Sequence, residues 1–324
     1  MTNLIELSVV IPVYNEEEVL ISSYERLTAV MRGLTPNFEL IFVNDGSQDN
    51  TRRILDDLQE LDMHVRVIHF SRNFGHQIAI TAGARYASGA AVVVIDADLQ
   101  DPPELIPAMV EKWRAGYQVV YAKRLVRKGE SFFKKFSAKV FYRILEKLSD
   151  TPIPVDTGDF RLMDAKVCRA LRQLEEKNPF VRGQVSWLGF KQTEVEYERD
   201  ERLYGETKYP LKKMIKLSLD GITSFSYLPL KLATYLGVTV ATCGFLYMIV
   251  VLFQKLFTTM TVPGWASIVI IQLIFFGIVL LVLGMIGEYI GRMYEETRHR
   301  PLYVVDEANG FEASHLYALK EQIK

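Results

Sequence analysis

The chain has 324 residues, of which 49% are apolar, and its formal net charge at pH 7 is −1. This balance excludes the strongly basic surface typical of nucleic-acid-binding proteins, so no nucleic acid partner is expected. Cys168 and Cys243 are too far apart in sequence to suggest a metal site or a disulfide framework, and they fit a reducing compartment.

The N-terminal part of the chain alternates between two kinds of pattern. Short runs rich in β-branched residues predict strands at 7–13, 39–43, 65–70, 91–95 and 118–121. Helical patterns between them cover residues 16–31, 50–61 and 77–86. Pro102 and Pro103 mark the first turn of a further helix. Strands and helices that alternate in this way predict an α/β fold with a mostly parallel sheet.

The run at 91–95 ends in acidic residues, with Asp96 and Asp98 followed by Gln100. Ligands of open α/β sheets bind beyond the carboxyl ends of the strands, so these side chains are expected at the mouth of a site. Their oxygen atoms suit Mg²⁺ or Mn²⁺ shared with substrate phosphates. Solvated acids at the end of a strand are the alternative interpretation.

Two amphipathic stretches follow. Residues 132–148 combine an apolar face with a cationic one, which indicates either a solvated surface or a face turned to anionic lipid. Residues 210–227 begin with a proline and carry lysines opposite apolar residues, and they are expected to lie in the membrane interface.

Two uncharged runs, 232–253 and 266–287, are each long enough to cross the hydrocarbon layer of about 30 Å. They predict two transmembrane helices, at about 230–254 and 266–290, although a buried core helix would also be apolar. Cations cluster before the first run and after the second, whereas only Lys255 lies between them. This distribution predicts a cytoplasmic N-terminal domain and a cytoplasmic tail at 293–324. Glycines in both runs permit close helix packing, and a homo-oligomer is expected.

Three polar clusters stand at successive predicted strand ends: Pro12, Tyr14 and Glu16; Asp45; and Asp96, Asp98 and Gln100. In this order they resemble the family 2 glycosyltransferases of the GT-A fold. The two C-terminal apolar runs narrow the resemblance to the polyprenyl-phosphate glycosyltransferases, and it extends to about Arg300. The resemblance implies a GT-A, Rossmann-like catalytic domain at residues 1–209, followed by the interfacial helix at 210–227 and two transmembrane helices within 228–292.

The resemblance also implies a role for each residue at the donor side. Pro12, Tyr14, Glu16, Asp45 and Asp96 would bind the nucleotide sugar, with Asp45 facing a base N–H, although residues 45–47 alone would suggest only a turn before a helix. Mg²⁺ or Mn²⁺ would lie on Asp98 and Gln100, with Asp96 beside it. Residues 199–209 match a basic family loop that covers the donor, in which Arg202 and Lys208 meet the diphosphate; without the family they would be a charged surface strand and turn.

The acceptor implied by the resemblance is a prenyl phosphate in the lipid bilayer. The residues that match family positions near its phosphate are Arg124, Lys134, Ser137, Thr207 and Lys208. Asp159 matches the proposed catalytic base, and it is grouped with Asp96 and Arg202 as catalytic. A phosphate monoester has a second pKa of about 6 and is mostly a dianion at pH 7, so a positioning role for Asp159 stays open.

The implied reaction is the inverting transfer of one sugar, by default glucose from a UDP-linked donor, to undecaprenyl phosphate. It would take place at the cytoplasmic face of a bacterial cytoplasmic membrane, with the enzyme as a multi-pass protein. A processive polysaccharide synthase is one alternative, but such enzymes carry Gln-x-x-Arg-Trp and more spans, and the closest string here, at 184–187, does not match. A non-catalytic membrane scaffold that retains the fold is the other alternative.

Overall fold

The computed structural model describes residues 5–124, 157–174, 176–197, 228–257 and 264–311. The described residues divide into two compact units. The first consists of residues 5–124, 157–174, 176–197 and 300–311, and the second of residues 228–257 and 264–299. Residues 300–311, part of the predicted cytoplasmic tail, belong to the first unit together with the N-terminal strands.

An eight-stranded sheet forms the centre of the first unit. Its strands are β1 (Leu7–Val13), β2 (Phe38–Asn44), β3 (Val65–Phe70), β4 (Ala91–Val94), β5 (Val119–Arg124), β6 (Thr157–Asp164), β7 (Gln192–Tyr197) and β8 (Val305–Asn309). They lie in the order β7-β5-β6-β4-β1-β2-β3-β8. The pairs β1–β2, β1–β4, β2–β3 and β5–β7 are parallel, which confirms the predicted mostly parallel sheet. Strand β6 runs antiparallel to both β4 and β5, and β8 runs antiparallel to β3.

Helices cover both faces of this sheet. They are α1 (Leu20–Leu34), α2 (Thr51–Leu61), α3 (His76–Tyr86), α4 (Ile106–Arg114), α5 (Ala165–Arg172) and α6 (Val181–Trp187), with a short 3₁₀ helix at Pro103–Leu105. Alternate residues of each strand face opposite layers, so β1 contributes Val9 and Ile11 to the core under α1, α2 and α4. It contributes Val10 to the core under α3, α5 and α6.

Helix α3 approaches β1 very closely. A Cβ atom added to Gly83 of α3 would lie 2.2 Å from Cγ1 of Val10, so only a residue without a side chain fits between this helix and the strand. The close packing fixes the height of α3 above the sheet, and with it the position of His76 at the helix N-terminus.

The second unit contains two long helices, α7 (Leu228–Phe257) and α8 (Trp265–Thr297). They coincide with the two predicted apolar helices. Within the described residues, one stretch is long and apolar enough to cross a membrane: Ile274–Thr297, whose most apolar 18-residue window has a mean hydropathy of 2.2 and is not buried. In α7 the apolar stretch identified, Gly237–Tyr247, is too short to meet this description. One candidate span is therefore identified, and the prediction of two is not confirmed. The predicted interfacial helix at 210–227 lies outside the described residues.

Candidate active site

The register of the sheet brings two predicted site residues together. Strand β6 is antiparallel to β4, with Val94 opposite Arg161. Continuing that register by two residues places Asp96, just beyond β4, opposite Asp159 near the start of β6. These two carboxylates, far apart in sequence, therefore meet at the carboxyl end of the parallel strands, which is where open α/β sheets bind their ligands.

Asp159 is almost fully enclosed by hydrogen-bond donors and is only 7% exposed. Arg182 donates from Nε to Oδ1 at 2.9 Å and from Nη2 to Oδ2 at 3.3 Å, which forms a fork on the carboxylate. Gln77 Nε2 donates to Oδ2 at 3.0 Å. Burial alone would raise the pKa of Asp159, but the Arg182 guanidinium and His76 outweigh it and hold this pKa well below its usual range. Asp159 is therefore a fixed anion.

His76 joins the two carboxylates. Its Nε2 lies 3.3 Å from Oδ2 of Asp159 and 3.4 Å from Oδ1 of Asp96. Burial opposes the charged imidazole, but Asp96 and Asp159 outweigh burial and raise the pKa of His76 to about 9. Burial and the neighbouring carboxylates raise the pKa of Asp96 to about 6, although His76 works in the opposite direction. Among the described residues, no group donates a hydrogen bond to the buried Oδ1 atom of Asp96, so this oxygen retains capacity for a ligand.

Helix α6 delivers Arg182 to the site, and its position is secured by further hydrogen bonds. Gln77 Oε1 accepts from the backbone N–H of Val181 at 3.1 Å, while Nη1 of Arg182 donates to the carbonyl of Thr157 at 2.9 Å. Gln77 therefore links α3, β6 and α6 through one side chain. His76, Gln77 and Arg182 were not among the site residues predicted from sequence. His76 directly follows the polar loop at 71–75 that leaves β3, which is a usable signal, whereas nothing in the local sequence marks Arg182.

A second group of predicted residues lies at the ends of β1 and β2. Pro12 is buried within β1, Tyr14 is exposed just beyond it, and Glu16 donates its backbone N–H to Oγ1 of Thr51 at 3.0 Å. The backbone N–H of Asp45 donates to the carbonyl of Val13 at 2.9 Å, so the two strand ends adjoin.

Asp45 holds the loop that follows β3. Its Oδ1 accepts the backbone N–H of Phe74 at 2.6 Å and its Oδ2 accepts that of Gly75 at 2.9 Å. Burial raises the pKa of Asp45, and these two donors offset the rise only in part. Each carboxylate oxygen of Asp45 can accept a second hydrogen bond in addition to the one from the loop. Binding of a base N–H by Asp45 therefore stays a prediction.

The predicted cation ligands stand on a tight turn. Oδ1 of Asp98 accepts the backbone N–H of Gln100 at 3.2 Å, and Leu99 between them has a left-handed φ of 58°. In the part of the chain that the structure describes, no group of three or more His, Cys, Asp or Glu side chains is placed to hold a metal ion. A cation that takes one or two protein carboxylates and completes its shell with substrate phosphates needs no such group.

Arg124, predicted to bind the acceptor phosphate, is engaged with two residues that the sequence analysis missed. Its Nε donates to the hydroxyl of Tyr197 at 3.1 Å, and its Nη2 lies 3.6 Å from Oδ2 of Asp101. The Tyr197 hydroxyl donates in turn to Oδ1 of Asp101. The other residues predicted near the phosphates, Lys134, Ser137, Arg202, Thr207 and Lys208, lie outside the described residues.

Comparisons with known proteins identify the family of the chain. Residues 8–172 match the model of glycosyl transferase family 2. The chain is 62% identical to an uncharacterized glycosyltransferase of Bacillus subtilis over 317 residues, which cover 98% of both chains. It is 40% identical to the prophage bactoprenol glucosyl transferase homolog of Escherichia coli, over 93% of this chain and 98% of the relative. The bactoprenol glucosyl transferase of Shigella phage SfV is 41% identical over the same shares of the two chains.

Proposed function

Because the chain belongs to glycosyl transferase family 2 and is a glycosyltransferase, we propose that it transfers a single sugar to a polyprenyl phosphate with inversion of the anomeric centre. Glucose from UDP-glucose is the default donor. One observation carries the proposal: the matches to bactoprenol glucosyl transferases span 93% of this chain, and so include the two long helices as well as the sheet. A similarity confined to the sheet would support only the enzyme class.

The strand ends supply the groups that a nucleotide sugar requires. Pro12, Tyr14, Glu16 and Asp45 are assigned to the nucleoside, because they lie at the carboxyl ends of two adjoining strands, at the edge where such ligands bind. Asp96 is assigned to the sugar and diphosphate, since its Oδ1 atom is buried without a hydrogen-bond donor among the described residues. His76 Nε2 lies 3.4 Å from this oxygen without a hydrogen bond to it, so the oxygen can accept from a ligand hydroxyl or contact a cation.

The residues also fit a divalent cation. Asp98 and Gln100 would hold Mg²⁺ or Mn²⁺ with Asp96 adjacent, and the turn between them already directs one Asp98 oxygen toward the backbone of Gln100. When bound, the cation would neutralise charge that develops on the departing diphosphate. The small number of protein ligands favours Mg²⁺ or Mn²⁺ that arrives with the nucleotide over an ion caged by the protein.

In the proposed reaction an oxygen of the lipid phosphate attacks the anomeric carbon, the bond from that carbon to the diphosphate breaks, and the nucleoside diphosphate leaves. Asp159 positions the reactants and does not take a proton, because Arg182, Gln77 and His76 already donate to or pair with its carboxylate. The acceptor needs little deprotonation, since a phosphate monoester has its second pKa at about 6. The cations His76, Arg182 and Arg161 surround Asp159 and offset the charges of Asp96 and Asp159, which allows a dianion to approach.

The setting of the reaction is also part of the proposal. The apolar stretch Ile274–Thr297 supports attachment to a membrane, where the lipid acceptor resides. We include in the proposal a second span within α7, an interfacial helix at 210–227, a catalytic domain on the cytoplasmic side and assembly as a homo-oligomer.

Mass spectrometry of the lipid product tests the proposal. The full chain in detergent, given undecaprenyl phosphate, Mg²⁺ and UDP-glucose, is expected to form glucosyl phosphoundecaprenol and release UDP in equal amounts. EDTA and the Asp98→Asn variant should each abolish the product. A panel of other UDP-sugars serves as the donor control. A polymeric product would indicate a processive synthase, and no product with any donor would contradict the assignment of this reaction.

A further inference from the structure

Residues 301–311 form a segment, here termed the C-terminal strap, that follows α8 in the chain and packs against the sheet of the first unit. Its strand, β8, pairs with β3 from Val67 opposite Asn309 to Phe70 opposite Val305. Arg52 of α2 forms ion pairs with Asp306 and Glu307 of the strap, both at 2.9 Å. The strap is therefore part of the fold that carries the candidate active site.

The N-terminal end of the strap, at Tyr303 and Val304, lies against the loop at residues 71–75. The backbone N–H of Ser71 donates to the carbonyl of Val304 at 3.0 Å. The ring of Tyr303 stacks on Phe70 with centroids 5.0 Å apart, and Phe70 in turn meets Phe74 edge to face at 5.6 Å. Tyr303 is 8% exposed, so its ring is an integral part of this packing.

The opposite side of the same loop faces the nucleotide-binding residues. Asp45 accepts the backbone N–H groups of Phe74 and Gly75. A Cβ atom at Gly46 would lie 2.4 Å from the carbonyl carbon of Arg72, so the two loops are as close as their backbones allow. The loop is thus held between Asp45 on one side and the strap on the other, and it leads directly into His76.

We infer that Tyr303 is a positioning residue: through Phe70 and Phe74 it fixes the loop at 71–75, and thereby sets Asp45 and His76 for binding the donor. This inference deepens the proposed function, and it rests on that function only for the identity of the donor. The strap contacts this loop through packing and the backbone hydrogen bond from Ser71 to Val304, and no role in the chemical step is assigned to it. The expected consequence is an effect on donor affinity that exceeds the effect on turnover.

Hydrogen–deuterium exchange of the full chain without ligands is the first measurement. In Tyr303→Ala the amides of Phe74 and Gly75 should exchange about tenfold faster, because exchange follows the local opening of their bonds to Asp45. Tyr303→Phe keeps the stacked ring and should exchange like the wild type. Asp306→Asn is the matched control, since it removes one exposed ion pair of the same strap at little cost.

Steady-state kinetics is the second measurement. Tyr303→Ala should raise the donor KM by about tenfold and change kcat by less than about threefold, which is the pattern for lost binding and not lost chemistry. In Tyr303→Phe both kcat and the donor KM should equal the wild-type values. Unchanged exchange at 71–75 in Tyr303→Ala, or faster exchange spread evenly over the first unit, would overturn the inference. If exchange in Tyr303→Ala is faster only in the loop and the wild type is inactive on UDP-sugars, the positioning role of Tyr303 is supported and the proposed donor is refuted.

Discussion

Among single residues, Asp159 has the most unusual surroundings in the site. Both of its carboxylate oxygens accept hydrogen bonds from Arg182, and Gln77 and His76 fill positions beside them. A general base needs an oxygen that faces the proton it will take and a pKa near the working pH. The pKa of Asp159 instead lies well below its usual range, because Arg182 and His76 outweigh the effect of burial. These surroundings favour electrostatic positioning.

The pH dependence of the Asp159→Asn variant tests this assignment. We expect turnover to fall in the variant while the acidic limb of its pH profile, near pH 6, stays in place, because that limb belongs to the second ionisation of the lipid phosphate. The charge of Asp159 helps to raise the pKa of Asp96, so removing that charge would lower this pKa. If the acidic limb reported the ionisation of Asp96, it would therefore move to lower pH in the variant. Turnover measured over acceptor at saturating donor distinguishes these cases. Loss of the limb would identify Asp159 as the titrating base.

Arg182→Lys is the companion variant for the same site. Lysine retains the positive charge but cannot form the two-pronged contact with the Asp159 oxygens. We expect kcat to fall by about 10- to 100-fold, a range that reflects loss of one buried charge-assisted hydrogen bond. The donor KM should change little, since no contact of Arg182 is assigned to the nucleoside. Wild-type kcat in this variant would show that charge alone is sufficient.

Among the secondary-structure elements, α3 packs so closely on β1 that it requires glycine at position 83. Gly83→Ala would place a methyl group 2.2 Å from Cγ1 of Val10, and forcing extra volume into a packed core costs about 1–3 kcal/mol. The higher helix propensity of alanine returns at most about 1 kcal/mol. We therefore expect a net destabilisation of about 1–2 kcal/mol. The displaced helix would also carry His76 away from Asp96 and Asp159.

Gly33→Ala in α1 is the matched control for that prediction. Nothing lies within 4 Å of a Cβ atom at Gly33, so only the gain in helix propensity remains. We expect this variant to gain about 0.5 kcal/mol. Thermal unfolding in detergent measures both variants. Equal melting temperatures for the two alanine variants would mean that Val10 moves aside at no cost.

The strands could be predicted from sequence where the signal is local. The runs at 7–13 and 65–70 have the bounds of β1 and β3 because consecutive β-branched and apolar residues need burial on both faces of a sheet. The insertion of β6 between β4 and β5, and the addition of β8 at the edge, could not be predicted, since long-range strand pairing leaves no local periodicity. The same limit applies to the site. Asp96 and Asp159 were identified by motif, whereas Arg182 reaches them only through the packing of α6.

For the whole molecule, the orientation in the membrane is the prediction with the widest consequences. It rests on the cations that flank the two apolar runs. A cysteine at Leu61, which is 83% exposed on the first unit, should be shielded from impermeant reagents in intact cells. A cysteine at Thr259, between the two runs, should react. The reverse pattern would invert the topology.

The native cysteines determine the background for that experiment. Cys168 is buried, and burial raises the pKa of its thiol to about 12, so it should stay unreactive in the folded protein and can be retained. Cys243 is exposed on α7 and should be replaced by serine. Reagent uptake by the Cys243→Ser protein in denaturant, but not in its native state, confirms that the background is silent.

The position of β8 in the chain also has a consequence for biosynthesis. Strand β3 leaves the ribosome early, but its partner β8 is made only after both long helices. At a translation rate of about 5–20 residues per second, the edge of β3 stays unpaired for tens of seconds. An unpaired strand edge is a template for aggregation, so the nascent chain has a period in which chaperones or rapid membrane targeting must protect it. Overexpression that outpaces this protection should yield inclusion bodies even when the completed protein is stable.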